Sequence, residues 1–183
     1  VGVRDFFSSW INSQKVCSEV YYDITSISSY ATNIDFIEWG YNRDKERLPQ
    51  ENIGLVCREN GTPLCYQIYP GSITDVTTLK NSLKLFGYYN LHDITLILDR
   101  GFCSKANIME MNSLGDKIKF IQPMTFSMKK VLHLLKTNRK ELKKTESAFK
   151  FDEEILHYAK DALDIEGSTY KAHMYYNEKA EAD

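Results

Sequence analysis

Long apolar runs are missing from this 183-residue chain. None approaches the roughly 18 uncharged residues that a membrane-spanning helix needs, so no membrane span is expected. No leader with a basic, an apolar and a small-residue part opens the sequence, which argues against secretion. Cysteine is sparse: Cys17, Cys57, Cys65 and Cys103 form no C-x-x-C pair, and no His or Cys stands beside them at zinc-ligand spacing. Buried free thiols in a reducing cytoplasm are expected instead. There is no internal repeat and no low-complexity tract. An excess of one charge is also missing, since 23 basic residues face 25 acidic ones for a net charge of −2. The average therefore does not mark a dedicated nucleic-acid binder.

What is present is an ordinary globular composition, 43% hydrophobic and 26% charged. The length allows one domain with a real core, plus an insertion or tail. The chain begins at Val1 rather than Met, as a piece of a longer protein would. The charge is unevenly spread. Lys129, Lys130, Lys136, Arg139, Lys140, Lys143 and Lys144 cluster with only Glu141 opposing them, and the stretch from Phe151 to Asp183 is acidic. A basic segment of this kind can neutralise phosphates; a solvated helix face is the alternative.

Phe6, Phe7, Trp10 and Ile11 have helical spacing and predict a helix within 1–15, the junction to an upstream domain. Residues 19–27 read as a strand, with Val20, Tyr22 and Ile24 on one face and Tyr21, Asp23 and Thr25 on the other. Residues 28–50 are polar and irregular. Two strands follow, 53–58 and 64–69, joined at Asn60-Gly61, the favoured pair for a tight hairpin. That turn also accounts for Asn60-Gly61-Thr62, which matches a glycosylation acceptor. A helix over 75–86 is predicted, capped by the Thr74 hydroxyl and stopped by Gly87, with Val76, Leu79, Leu83 and Phe86 as its apolar stripe. Ile94-Thr95-Leu96-Ile97-Leu98 reads as a strand buried on both faces. Ser104 caps a helix to about Leu114, and 118–121 is a short strand stopped by Pro123. A basic helix over 127–144 and strands at 148–151, 155–158 and 170–176 complete the chain, with a turn at Gly167. The order of strand, hairpin, helix, strand, helix, strand suggests a mixed sheet with helices on its faces.

Two aspartates stand out. Asp99 follows an uncharged strand, where α/β sheets bind ligands, and Gly101 permits a sharp turn just after it. The alternative is an Asp that caps the turn or pairs with Arg100. Asp23 lies inside a strand, where Asp is disfavoured. An inward or cleft-facing carboxylate there costs free energy unless it is paired or bound to metal; the alternative is a surface Asp on an edge strand. If the two strands are neighbours, about 4.8 Å apart, both carboxylates can hold one cation. Oxygen ligands alone suit Mg²⁺ or Mn²⁺, and two such ions support phosphodiester cleavage. A phosphatase with an aspartyl nucleophile needs a second Asp two residues after the first, and Thr25 occupies that position.

Tyr21-Tyr22-Asp23-Ile24-Thr25-Ser26 resembles the first-aspartate strand of the DDE transposases of bacterial and archaeal insertion sequences. Leu96-Ile97-Leu98-Asp99-Arg100-Gly101-Phe102 resembles their second-aspartate strand. Between them, Trp39-Gly40-Tyr41-Asn42-Arg43-Asp44 is similar to the family's Gly-Tyr-Ser-Arg-Asp segment. Tyr69-Pro70-Gly71-Ser72, with Asp75 and Thr78-Leu79, is similar to its Pro-Gly-Asn-x-x-Asp-x-x-Thr-Leu segment. The resemblance covers residues 20–124 and extends loosely beyond them. It implies an α/β fold: a ribonuclease-H-like mixed five-stranded sheet with flanking helices, followed here by the start of a β-rich insertion. The corresponding division is a junction helix at 1–15, a partial catalytic core at 16–126, and the basic helix with the start of the insertion at 127–183.

The resemblance further implies that Asp23 and Asp99 are catalytic metal ligands for Mg²⁺ or Mn²⁺. Its partners would be the transposon ends and target DNA, and the full-length protein would form a homodimer. It calls for a third carboxylate in a Tyr-x-x-Arg-x-x-x-Glu pattern. No segment after Asp99 has it, and none of Glu141, Glu146, Glu153, Glu154 or Glu166 is assigned. The third acidic residue is expected outside the chain. A catalytically incomplete remnant, or a DNA-binding fragment, is therefore the rival expectation. Arg43, Asp44 and Arg100 are expected to position DNA or neighbouring side chains, and Lys129, Lys130, Lys136, Arg139 and Lys140 to track a DNA backbone. Trp39 and Tyr41 are expected to pack in the core; the alternative is stacking on an extruded base.

Overall fold

The computed structural model describes residues 2–14, 18–31, 33–41 and 47–181. The chain divides into two compact units, Val1–Pro123 and Met124–Asp183. None of the described helices is long and apolar enough to cross a membrane.

The first unit is built on a five-stranded mixed sheet. Its strands are β1 (Glu19–Ser28), β2 (Gln50–Arg58), β3 (Pro63–Pro70), β4 (Ile94–Leu98) and β5 (Ile118–Ile121), in the order β3-β2-β1-β4-β5. The three strands β1 to β3 are antiparallel, whereas β4 runs parallel to both β1 and β5. The helices are α1 (Val3–Ser13), α2 (Asp75–Tyr88) and α3 (Lys105–Ser113).

Period-2 alternation decides which face is covered. Val20, Tyr22 and Ile24 of β1, Val56 of β2, and Ile94, Leu96 and Leu98 of β4 are all buried. Leu79, Leu83 and Phe86 of α2 are buried with them. Tyr22 reaches α2 directly, donating from its hydroxyl to Thr78 Oγ1 at 3.2 Å, and its ring lies 5.0 Å from that of Phe102. Tyr69 donates to the Thr78 carbonyl at 3.2 Å, and its hydroxyl lies 2.9 Å from that of Ser82. Burial raises the pKa of both tyrosines. A Lys80–Glu110 ion pair at 3.1 Å links α2 to α3. On the edge strand, α1 inserts Phe7 against Tyr66 with ring centroids 5.3 Å apart, and Trp10 Nε1 donates to the Pro63 carbonyl at 2.8 Å.

The opposite face is different. Tyr21, Leu55, Tyr66, Ile68 and Ile121 are exposed, and Thr95 and Ile97 are half-buried. The strand expected to be buried on both faces is thus fully buried on one only. An apolar run alone does not separate these two cases.

Local corrections have local causes. The hairpin does not turn on Asn60-Gly61 as a two-residue loop. Gly61 N donates to the Arg58 carbonyl and Arg58 N to that of Thr62, and only Gly61 has positive φ, at 80°. This is a three-residue loop with its glycine in the left-handed region. Helix α2 runs through Gly87. It ends where Asn90 turns left-handed at φ 56°, with Leu91 N bonded to the Phe86 carbonyl and Asn90 N to that of Gly87. Those paired bonds are a Schellman motif with Asn at the position glycine usually takes. Thr74 does not cap α2 with its hydroxyl, which faces Thr77 Oγ1 at 3.2 Å. Ser104 does cap α3, accepting from Asn107 N at 3.1 Å.

Two loops are locked together at the start of β2. Gln50 and Asn52 are buried amides. Gln50 Nε2 donates to the Tyr41 carbonyl at 2.8 Å, and Asn52 Nδ2 to the Ile73 carbonyl at 3.0 Å. Backbone bonds join Glu38 to Gln50 in both directions at 2.9 Å. Gly40 and Gly71 make the approach possible: a Cβ on Gly40 would lie 1.9 Å from the Gly71 carbonyl oxygen, and one on Gly71 2.0 Å from that of Gln50. The clamp holds the loop backbone and leaves its aromatics outside. Trp39 is 68% and Tyr41 84% exposed, so the expectation of core packing for both is overturned.

The second unit contains α4 (Lys129–Leu142) and a three-stranded antiparallel sheet, β6 (Ala148–Phe151), β7 (Glu154–Ile165) and β8 (Ser168–Tyr176). Leu142, Ala159 and Met174 form its core, with Leu134, Leu135 and Tyr176 packed against them. β7 is longer than the sequence pattern predicts because Lys160-Asp161-Ala162, poor strand formers, pair along β8. Asn138 of α4 donates to Asp161 at 2.7 Å. Glu166 and Gly167 both have positive φ, the two-residue turn that suits a hairpin.

Two outcomes follow for stability. Gly71→Ala should destabilise the protein by roughly 3 kcal/mol through overpacking against fixed backbone, measured by urea unfolding. Trp39→Ala and Tyr41→Ala should each change stability by no more than about 0.5 kcal/mol, as at other exposed positions; a large loss would mean that these rings are packed.

Candidate metal-binding face

The two singled-out aspartates stand on neighbouring strands. β1 and β4 pair in parallel, and their last ladder partners are Tyr22 and Leu98. The next residues along the two strands are Asp23 and Asp99. Tyr22 and Leu98 are buried on the covered face, so alternation turns Asp23 to the open face, with Asp99 beside it at the strand end. Both aspartates are exposed.

Each carboxylate is partly oriented by its own backbone. Asp23 Oδ1 accepts from Ile24 N at 2.8 Å. Asp99 Oδ1 accepts a short bond from Arg100 N and caps a single 3-10 turn, Arg100–Phe102. The capping role weighed for Asp99 is therefore real. It engages one oxygen and leaves the other free for a ligand. The turn is anchored from below by buried Phe102, whose carbonyl accepts from Asn107 Nδ2 at 2.9 Å. Asp23 lies on the face opposite Val20, Tyr22 and Ile24, as the alternation predicts, and is exposed there on a central strand rather than an edge strand, so desolvation does not demand a partner for it.

The residues fit a hard divalent cation. Two carboxylates one strand apart, about 4.8 Å between backbones, repel each other unless a cation lies between them. Their donor set is oxygen alone, which matches Mg²⁺-like ions rather than zinc. Among the described residues, no group of three or more His, Cys, Asp or Glu is placed to hold a metal. Two of the later glutamates have other partners: Glu141 pairs with Lys144 at 2.5 Å, and Glu154 accepts from Asn177 at 2.8 Å.

Arg43 and Asp44 lie outside the described residues. Arg100 is exposed beside Asp99. In the second unit, Lys129, Lys130, Lys136, Arg139 and Lys140 are exposed on α4, while Val131 and Leu142 are buried. Cys65 is buried, and burial with Cys57 nearby pushes its thiol up to about 12. Cys57 and Cys103 are half-buried; Cys17 lies outside the described residues.

Sequence reading missed Gln122. It follows β5, and its Nε2 donates to the Asp99 carbonyl at 2.8 Å. The available signal was its place, one residue past a strand parallel to β4 and directly before a proline. Gln50 and Asn52 were missed as well, because buried amides at a strand start leave no periodic trace.

No curated protein sequence matches the chain. Among solved structures, the chain is similar to the piggyBac transposase in a cryo-EM synaptic complex with hairpin DNA. The TM-score is 0.52 at 12% identity, over 93% of this chain and 35% of that one. The chain thus spans about a third of that protein. A second similar structure is the Mos1 transposase paired-end complex with the left transposon end. Its TM-score is 0.41 at 10% identity, over 79% of this chain and 54% of that one. The likeness to the first supports a ribonuclease-H-like sheet followed by a second sheet. The model of the transposase DDE domain matches residues 15–179, and general dependence on a divalent metal comes with that domain. With its β1–β4 aspartates and nearly its whole length within that match, the chain belongs to the transposase DDE domain family.

Proposed function

We propose that this chain is part of a transposase catalytic core that cleaves phosphodiester bonds at transposon ends and joins the freed 3′-hydroxyl to target DNA. The observation that carries the reading is the parallel pairing of β1 with β4, which puts Asp23 beside Asp99. Asp23 and Asp99 would hold the cations. When bound, Mg²⁺ or Mn²⁺ supplies Lewis-acid polarisation of a phosphoryl oxygen and lowers the pKa of water. The chain's own contribution is to fix two carboxylate oxygens on an open, accessible face, with Arg100 beside them for a phosphate. The exposed lysines and Arg139 of α4 suit a DNA backbone through charge neutralisation. Trp39 and Tyr41, held outward by the Gly40–Gly71 clamp, offer aromatic faces to a base. The full-length protein would act as a homodimer on paired ends, in the reducing cytoplasm that suits its free thiols.

A second reading is favoured by a specific observation. The Asp23 face exposes Tyr21, Leu55, Tyr66, Ile68 and Ile121, and exposed apolar side chains grouped on one face suit a covering layer or partner. A further layer bearing the third carboxylate would cover it in the parent protein. Without that layer the chain would bind DNA and not cut it.

The test is nicking of supercoiled plasmid by the full-length parent in Mn²⁺. Asp23→Ala and Asp99→Ala should each lower the rate by roughly a thousandfold without loss of DNA binding. Undiminished nicking by Asp99→Ala would overturn its assignment. Tight DNA binding by the wild-type parent with no nicking in any divalent metal would favour the remnant.

A further inference from the structure

We propose that Gln122 is a positioning residue for Asp99, acting as the final rung of the β4–β5 ladder. The backbone ladder stops early. Its last pair is Ile97 with Ile121, two residues short of Asp99. Pro123, two residues beyond Ile121, has no N–H with which to extend the ladder from β5. The Gln122 side chain supplies one instead. Its Nε2 donates to the Asp99 carbonyl at 2.8 Å and to the Pro123 carbonyl at 3.0 Å. Phe102 N donates to the same Asp99 carbonyl at 3.2 Å.

The amide orientation is fixed by these partners. A primary amide has two N–H donors, and both point at carbonyl oxygens. Flipping the group would set oxygen against oxygen. The consequence is that Gln122 Oε1 is buried with no hydrogen-bond partner among the described residues. A buried acceptor left alone is unfavourable and calls for an explanation. Packing alone would be better served by an apolar side chain of the same length. The benefit lies in the grip on Asp99: fixing its carbonyl fixes the Cα–Cβ direction, and the bond from Arg100 N then holds Oδ1. Outer-shell bonds of this kind set ligand orientation and metal affinity.

This role rests on the metal-site reading of Asp23 and Asp99, and the experiment separates the two. Mn²⁺ affinity of the 183-residue chain is measured by electron paramagnetic resonance of free Mn²⁺, beside the unfolding temperature of the metal-free protein. Gln122→Met keeps the length and removes both donors. It should weaken Mn²⁺ binding about tenfold while the unfolding temperature stays the same or rises; Asp99→Asn should abolish binding. Wild-type affinity in Gln122→Met, with binding lost in Asp99→Asn, would overturn the positioning role alone. Parallel losses of affinity and unfolding temperature in Gln122→Met would also overturn it, in favour of plain stability. Wild-type affinity in Asp99→Asn would overturn the metal site and this role with it. If Gln122→Met does not fold, Gln122→Asn, which withdraws the amide by one methylene, is judged by the same outcomes.

Discussion

The parallel contact between β1 and β4 is the constraint on which everything else depends. It is held in register by the covered face, where Val20 lies opposite Leu96 and Tyr22 opposite Leu98. A slip of one residue in β1 would turn its apolar set outward and drive Asp23 into the core. The cost of burying a lone carboxylate and of exposing Tyr22 and Ile24 therefore acts in the same direction. Hydrophobic burial on one face fixes the chemistry available on the other.

The surroundings of that pair follow the same economy. The edge of the sheet is managed by α1 and by the hairpin, and the loop ends by buried amides. Gln50 and Asn52 satisfy carbonyls of two loops that no strand reaches. Gln122 does so at the end of β5. In each case a side-chain amide takes over where the backbone ladder runs out. The loops then meet a face that is open and partly apolar, on which Asp23 and Asp99 stand on neighbouring strands.

Much of this was legible in the sequence, for physical reasons. The alternation in β1, the unbroken apolar run in β4 and the helical stripe in α2 are direct signatures of burial, and they located the sheet and the covered face. The position of Asp99 after an uncharged strand, and of Asp23 within one, singled out both residues before any geometry was known. What stayed hidden depends on long-range partners. Nothing local tells that Gly87 continues a helix while Asn90 ends it. Trp39 reads as core by its chemistry, yet a glycine clamp centred on Gly71 leaves it in solvent. β7 extends through Lys160 and Asp161 because β8 pairs with it there, which single-strand propensity does not reveal. The amide contacts join residues distant in sequence, such as Asn52 with Ile73, and have no periodic signal.

The central claim is that Asp23 and Asp99 share a divalent cation on the open face of the sheet. It is tested most directly by anomalous diffraction at the manganese edge from crystals of the chain grown with Mn²⁺. A peak roughly 2 Å from an oxygen of each aspartate, lost in Asp99→Asn crystals, is the expected result. Ordered Mn²⁺ elsewhere in the crystal with none between Asp23 and Asp99 would contradict it.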